Sequence, residues 1–223
     1  GTIALPGGVR PRIRSTNDAM GTLRFFNLQS LMERYGCRYL FETGTGIGDG
    51  VRYASFYHFE RIWSVEIHPD IAATARERFE GDERIRILNE TSEHALATIL
   101  PTVDPATPIL FWLDAHFPGA DFGLATYKDE RDADRRLPLE RELALVARLR
   151  RPCRDVILVD DLRIYEDGPW ELGPMPEFSQ TLPPERRNLD FVTRGPWPAT
   201  HEIRRFHEGT GYLAIAPLQG APG

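Results

Sequence analysis

The length and composition of the chain are those of an ordinary globular protein. Its 223 residues suffice for one sizeable core, and its fractions of 41% hydrophobic and 27% charged residues exclude a disordered or membrane-embedded chain. The formal net charge of -6, with both signs mixed along the chain, argues against the broad basic surface that binds nucleic acid. We therefore expect one domain, 1–223, that does not act on nucleic acid.

The cysteines and the apolar segments restrict the cellular setting. Cys37 and Cys153 have no spacing pattern, so we expect buried thiols rather than a disulfide or a zinc site. No apolar stretch approaches the roughly 20 residues that cross a bilayer, and residues 1–14 lack the apolar core of a signal peptide. We expect a cytoplasmic protein without membrane contact. The sequence leaves open whether the protein forms a homo-oligomer and whether the natural chain has further residues before Gly1.

Strand-like and helix-like segments alternate along the chain. Runs rich in Val, Ile, Leu and aromatic residues predict strands at 38–42, 61–67, 84–88, 108–114 and 155–160. Helical patterns lie at 49–58, 69–79, 92–100 and 137–150. This alternation predicts a parallel sheet with helices on both faces, because parallel neighbours need crossover connections. The runs 201–206 and 212–216 predict a hairpin that adds one antiparallel strand. The predicted fold class is α/β, a single Rossmann-like domain with a mostly parallel seven-stranded sheet.

Three further segments are predicted to surround a ligand crevice. Residues 18–35 predict a helix before the first strand, which either covers a ligand or packs in the core. The loops 117–136 and 162–200 follow the fourth and fifth strands, where ligands bind in α/β sheets. Their aromatic and basic side chains would form the cleft walls, with ordinary loop packing as the alternative; these are Tyr127, Lys128, Tyr165, Trp170, Phe178 and Trp197.

A glycine-rich segment directly follows the first strand and opens a helix. Its sequence is Phe41-Glu42-Thr43-Gly44-Thr45-Gly46-Ile47-Gly48, and glycines there let the backbone approach a ligand closely. The dinucleotide spacing G-x-G-x-x-G fails at Asp49 and, in the second frame, at Val51, which argues against NAD. The segment resembles the acidic-x-Gly-x-Gly-x-Gly motif of class I S-adenosylmethionine-dependent methyltransferases. This resemblance implies that Glu42, Thr43, Gly44, Thr45, Gly46 and Gly48 bind the methionine part of S-adenosyl-L-methionine.

Two later segments extend the resemblance to about residues 38–216. Glu66, with Ile67 beside it, ends the second strand about 20 residues beyond the loop, where a carboxylate can accept both ribose hydroxyls. The alternative for Glu66 is a helix-capping carboxylate. Asn89-Glu90-Thr91-Ser92 follows the third strand, where members of the family contact adenine, so Ser92 is a predicted cofactor residue.

Acidic residues follow the fourth and fifth strands. Asp114 and His116 come after one, and Asp160 and Asp161 after its neighbour. Three carboxylates held together would repel, which raises their pKa values or attracts a hard divalent cation. The pattern resembles that of metal-dependent O-methyltransferases, including members that modify sugars. This resemblance implies Mg²⁺ or another divalent cation on Asp114, Asp160 and Asp161, Asp114 beside the cofactor, and His116 as the base. The alternative is a set of turn and capping residues.

These patterns predict an S-adenosylmethionine-dependent O-methyltransferase. The expected acceptor is a hydroxyl of a small molecule, in the first place a sugar moiety of a natural product or polysaccharide precursor, with assistance from a divalent metal. One alternative is a metal-independent methyltransferase that acts on nitrogen, carbon or oxygen. The other is a non-catalytic module that binds S-adenosylmethionine or a nucleotide, because a fold does not guarantee an activity.

Overall fold

A computed structural model describes residues 22–126, 133–177 and 180–218. Its strands are β1 (Tyr39–Thr43), β2 (Arg61–Val65), β3 (Ile85–Leu88), β4 (Ile109–Leu113), β5 (Val156–Val159), β6 (His201–Phe206) and β7 (Tyr212–Pro217). They form one seven-stranded sheet with the order β3-β2-β1-β4-β5-β7-β6. Strands β1 to β5 are parallel, and β7 pairs antiparallel with β5 and β6. The predicted fold class is confirmed, including the hairpin and the single reversed strand.

Helices cover both faces of this sheet. They are α1 (Leu28–Tyr35), α2 (Asp49–Ser55), α3 (Pro69–Arg78), α4 (Ser92–Ile99), α5 (Ala133–Arg136), α6 (Leu139–Leu149) and α7 (Asp190–Thr193). The apolar residues of α1, α2 and α3 pack on one face, and those of α4, α6 and α7 on the other. Successive residues of β4 contribute to opposite faces, Leu110 to the first and Phe111 to the second. The central strands are therefore continuously apolar, as expected for a sheet buried on both sides.

The carboxyl ends of three strands come earlier than predicted. The predicted strands 61–67, 108–114 and 155–160 end at Val65, Leu113 and Val159. The acidic residues that follow them leave the sheet and enter the connecting loops. All three carboxyl ends lie at the same edge of the sheet, because β2, β4 and β5 belong to its parallel part.

The N-terminal segment is not the single helix predicted for 18–35. Residues 18–21 lie outside the described part, and the rest divides into a 3-10 helix, Leu23–Phe25, and α1. The break has a local cause, because Phe26 is extended and the Asn27 side chain caps α1 by accepting the Ser30 N–H. The Phe25 ring stacks on Tyr212 at 4.7 Å. Residues 18–35 were predicted either to cover a ligand or to pack in the core. The packing of residues 22–35 supports the second role.

The aromatic residues of 162–200 also belong to the core. Tyr165, Trp170 and Trp197 are buried in the cluster around α6 and α7, which favours ordinary loop packing, the stated alternative to a role in the cleft walls. Tyr165 directly follows one short helical turn, Leu162–Ile164, and Trp197 begins another, Trp197–Ala199. The Trp170 ring instead packs against the turn before β7, where it would lie 2.6 Å from a Cβ at Gly211. Tyr127, Lys128 and Phe178 lie outside the described residues. Within the described part, no helix combines the length and the apolar character needed to cross a membrane.

A buried ion pair joins the amino ends of β4 and β5. Arg150, at the end of α6, contacts both carboxylate oxygens of Asp155, at 3.0 and 3.1 Å. Its remaining N–H groups donate to the carbonyl oxygens of Val103, Asp104 and Thr107. Both side chains are almost fully buried, and each finds the partners that a buried charge requires.

Candidate functional site

The glycine-rich loop lies between the carboxyl ends of β2 and β4. The N–H groups of Gly44 and Thr45 donate to the Val65 carbonyl at 2.9 and 3.1 Å. Gly44 has a φ of +81°, and a Cβ there would lie 2.5 Å from the Asp114 carbonyl oxygen. Only glycine satisfies both the left-handed backbone and this close approach. The loop is therefore held directly against the start of the acidic segment after β4.

Glu42 is buried beneath this loop. Its carboxylate accepts a hydrogen bond from Ser64, whose hydroxyl also lies 2.6 Å from that of Thr45. A Cβ at Gly50 would overlap the Glu42 side chain, so the first turn of α2 closes over it. Burial raises the pKa of Glu42 to about 8, against the opposing effect of the Ser64 hydrogen bond. Glu42 supports the loop from below.

Glu66 spans the gap between the glycine loop and the segment after β2. One carboxylate oxygen accepts the Gly46 N–H at 3.1 Å, and the other accepts the His68 N–H at 2.9 Å. His68 is the N-cap residue of α3. The contact with its N–H therefore agrees with the alternative that Glu66 caps this helix, whereas the contact with Gly46 does not. Asn89 donates to the carbonyls of Glu66 and Ile67 at 2.9 and 3.0 Å. These contacts hold the backbone of Glu66 and Ile67 in place. The cofactor roles of the two residues stay predictions.

Ser92 is a buried residue in the first turn of α4. The sequence interpretation missed a buried carboxyl group on the helix that packs against α4, that of Glu142 in α6, which has 1% exposure. Burial raises the pKa of Glu142 to about 7. The sequence contained a sign of it, because Glu142 falls on the apolar stripe of α6 with Leu139, Leu143 and Val146. A charged residue on such a stripe is unusual.

The structure brings together the acidic residues that follow β4 and β5. Oxygen atoms of Asp114 and Asp160 and a ring nitrogen of His116 lie within 4.8 Å of one another. His116 Nε2 is 3.4 Å from Asp114 Oδ1. Asp160 is buried and accepts hydrogen bonds from the Thr210 hydroxyl at 3.1 Å and the Asp161 N–H at 2.7 Å. Three of the four residues predicted at this place thus share one centre.

Asp161 lies at the margin of this centre. Its backbone is left-handed, with a φ of +53°, and its carboxylate pairs with Arg163 at 2.8 Å. The other carboxylate oxygen is 3.9 Å from His116 Nε2. The ligand role of Asp161 stays a prediction, and it would require the carboxylate to bind a cation while Arg163 holds it.

The electrostatics of the centre suit a cation. Desolvation, followed by the charge of Asp160, raises the pKa of Asp114 well above its ordinary value. Burial and the neighbouring Asp161 raise the pKa of Asp160 to about 6. His116 Nε2 is buried and has no hydrogen-bond partner within the described residues. The two carboxylates offer oxygen donors that fit a divalent ion, and the His116 ring nitrogen beside them, which has no hydrogen bond within the described part, could either join that donor set or act as a base.

The start of the segment after β4 crosses the glycine loop. The Phe122 ring would lie 3.2 Å from a Cβ at Gly46, and a Cβ at Gly119 would lie 3.1 Å from the His68 ring. Phe122 and Leu124 remain partly exposed. The part of the predicted loop 117–136 that the structure describes therefore lies against the glycine loop and His68, and its place beside the active site stays a prediction.

Known structures share this architecture, although no protein-family model matches the chain and no curated protein matches its sequence. A "putative rRNA-methylase" from Clostridium thermocellum superposes with a TM-score of 0.54 and 13% identity, covering 85% of this chain and 96% of that one. A "putative O-methyltransferase" from Klebsiella pneumoniae has a TM-score of 0.53 and 15% identity, covering 90% and 84%. A "putative caffeoyl-CoA O-methyltransferase" from Staphylococcus aureus has a TM-score of 0.50 and 11% identity, covering 85% and 80%.

At such low identities these superpositions describe the fold, and they agree with the resemblance found in the glycine-rich motif. The chain has the fold of the class I S-adenosylmethionine-dependent methyltransferases.

Proposed function

We propose that the protein is an S-adenosylmethionine-dependent O-methyltransferase assisted by a divalent cation. One observation carries this proposal: Asp114, His116 and Asp160 converge at the carboxyl ends of β4 and β5, directly against the glycine loop. In α/β sheets of this kind, ligands bind outside the carboxyl ends of the strands. The proposed acceptor is a hydroxyl of a small molecule, with a sugar moiety as the first choice because the motif resembles that of sugar-modifying enzymes.

The cofactor would lie along the glycine loop. The N–H groups of Gly46 and His68 fix the Glu66 carboxylate, and each of its oxygens retains a lone pair for a ribose hydroxyl. Ser92 lies at the predicted adenine end, and Gly44 lies beside Asp114 at the other. This arrangement would place the two reactants at one edge of the sheet, and such positioning can contribute about 7–11 kcal/mol to a transfer reaction.

When bound, S-adenosylmethionine would supply the methyl group, and a divalent cation held by Asp114 and Asp160 would lower the pKa of the acceptor hydroxyl. His116 would take the proton of that hydroxyl on Nε2, the nitrogen that faces both Asp114 and Asp161. Thr210 and the Asp161 N–H keep the Asp160 carboxylate oriented toward the centre. The third predicted ligand, Asp161, would contribute only while it is also paired with Arg163.

Calorimetry tests the cofactor assignment first. We expect S-adenosylmethionine and S-adenosylhomocysteine to bind, and NAD to give no heat, because the dinucleotide spacing fails at Asp49 and Val51. Tight binding of NAD without binding of S-adenosylmethionine would refute the methyltransferase proposal.

Turnover separates the proposal from its two alternatives. Release of S-adenosylhomocysteine is measured with a panel of sugars and other hydroxyl compounds, before and after removal of metal with EDTA. We expect turnover of a sugar hydroxyl that EDTA abolishes and Mg²⁺ restores. Full activity after EDTA would indicate a metal-independent methyltransferase, and binding of S-adenosylmethionine without turnover on any acceptor would favour a non-catalytic module.

A further inference from the structure

Asp161 and its neighbour Asp160 carry the same charge, yet their carboxylates have different surroundings. Asp160 shares the centre with Asp114 and His116. Asp161 has a left-handed backbone, with a φ of +53°, and its Oδ1 accepts a hydrogen bond from Arg163 Nε at 2.8 Å. Its Oδ2 lies 3.9 Å from His116 Nε2. Asp161 therefore lies at the edge of the centre, and an arginine holds it there.

Arg163 is fixed in this position by its own backbone. Its N–H donates to the Thr210 carbonyl at 3.3 Å, and its carbonyl accepts a hydrogen bond from Arg187 Nη2 at 3.2 Å. Its side chain is 17% exposed, and that of Asp161 is 12% exposed. Water screens such a partly buried ion pair less than it screens a pair on the surface. The contact between Arg163 and Asp161 is therefore a stable part of the site.

This ion pair has two consequences for a cation bound by Asp114 and Asp160. The positive charge of Arg163 repels the cation, and the Asp161 oxygen that accepts from the guanidinium group is turned to that group. The cation then lacks a third carboxylate, so a coordination position remains for another oxygen. Catalytic metal sites differ from structural ones in keeping such a position for water or substrate.

We propose that Arg163 is a positioning residue that holds Asp161 out of the coordination shell, which weakens binding of the cation and leaves a position on it for the acceptor oxygen. The inference rests on the proposed function, because it takes a divalent cation to bind at Asp114 and Asp160. It assigns Asp161 a place outside the set of ligands. Loss of a merely structural ion pair would weaken metal binding, whereas loss of Arg163 should strengthen it.

The test titrates the protein calorimetrically with Mn²⁺ alone at pH 8. In Arg163→Met, whose side chain is unbranched and uncharged, we expect Mn²⁺ to bind about tenfold tighter or more, because the repelling charge is gone and Asp161 is free to become a ligand. Arg163→Gln removes the charge but keeps a polar side chain. It should change the affinity in the same direction, and it replaces Arg163→Met if that variant does not fold.

A second substitution separates coordination by Asp161 from its charge. Asp161→Asn removes the same charge in the unmodified protein and in Arg163→Met, so the difference between the two losses of affinity measures direct coordination. We expect Mn²⁺ to bind about threefold weaker in the first case and at least thirtyfold weaker in the second. Arg38→Met is the matched control, because it removes a positive charge from the ion pair with Glu60 before the amino ends of β1 and β2. It should change the affinity less than about twofold.

The outcomes distinguish the inference from its foundation. If neither the unmodified protein nor Arg163→Met binds Mn²⁺, the metal-assisted function is refuted and the inference with it. Unchanged or weaker binding in Arg163→Met refutes the inference alone. Equal losses on Asp161→Asn in the two proteins also refute it, because Arg163 would then have no influence on whether Asp161 is a ligand.

Discussion

Replacement of Glu42 by Gln should make the protein more stable at alkaline pH. The Glu42 carboxyl is 1% exposed and lies under the first turn of α2, where even a Cβ at Gly50 would overlap it. Burial raises its pKa from 4.5 to about 8. Gln preserves the shape of the side chain and can still accept the Ser64 hydrogen bond, while it has no charge to bury.

The magnitude and direction follow from proton linkage. At 1.36 kcal/mol per pKa unit, a shift from 4.5 to about 8 corresponds to at most about 5 kcal/mol. Relaxation around a buried charge reduces such penalties, so we expect about 2–4 kcal/mol. Because the folded state holds the proton more tightly, the unmodified protein loses this stability as the pH rises from about 4.5 to about 8. Glu42→Gln should not show that loss.

Chemical denaturation between pH 5 and pH 9 measures the effect. The free energies of unfolding of the two proteins should diverge with rising pH and become parallel above about pH 8, with Glu42→Gln the more stable. Glu80→Gln, at an exposed glutamate, is the matched control and should shift stability by less than about 0.5 kcal/mol at every pH. A constant difference between Glu42→Gln and the unmodified protein would show that Glu42 ionises without a penalty, and the reasoning would fail.

Other substitutions test the sheet and the site. Arg150→Met should lower the free energy of unfolding by about 3–5 kcal/mol, because it leaves Asp155 charged and buried without its cation; calorimetric melting checks this, and S-adenosylhomocysteine affinity at 20 °C should not change. Gly46→Val should abolish binding of S-adenosylhomocysteine in a titration, because Gly46 has a φ of +51° and a Cβ there already meets Phe122. Asp160→Asn should lose turnover that excess Mg²⁺ partly restores, whereas His116→Ala should lose roughly 10²–10⁴-fold without metal rescue and recover toward high pH. Rescue of His116→Ala by metal would make His116 a ligand instead of a base.

The fold could be predicted because its determinants are local in the sequence. Apolar runs about the length of a strand, separated by helical patterns, require a parallel sheet. The glycine loop could be located because left-handed backbone and close approach both require glycine, as at Gly44. The convergence of Asp114 and Asp160 followed from topology alone, since the carboxyl ends of neighbouring parallel strands share one edge.

The details that escaped prediction depend on backbone angles and on packing. Asp160 and Asp161 are adjacent in the sequence, yet the left-handed backbone at Asp161 turns its carboxylate to Arg163. Nothing in the residue types reveals that angle. Trp170 and Trp197 were expected at the cleft because they lie in a long segment, but both are buried in the core. Trp197 begins a short helical turn, and Trp170 packs against the turn between β6 and β7.

The position of the Arg150–Asp155 pair has a consequence for how this protein can change over evolution. The pair ties β4 to β5 at their amino ends, whereas Asp114 and Asp160 follow the opposite ends of the same strands. About 17 Å of strand separates the two places at roughly 3.3 Å per residue. Substitutions that alter the chemistry at one end therefore leave the main polar anchor of these strands intact. Substitutions that change which acceptor the site binds should therefore have little effect on the stability that the ion pair provides, since distant substitutions contribute to stability independently.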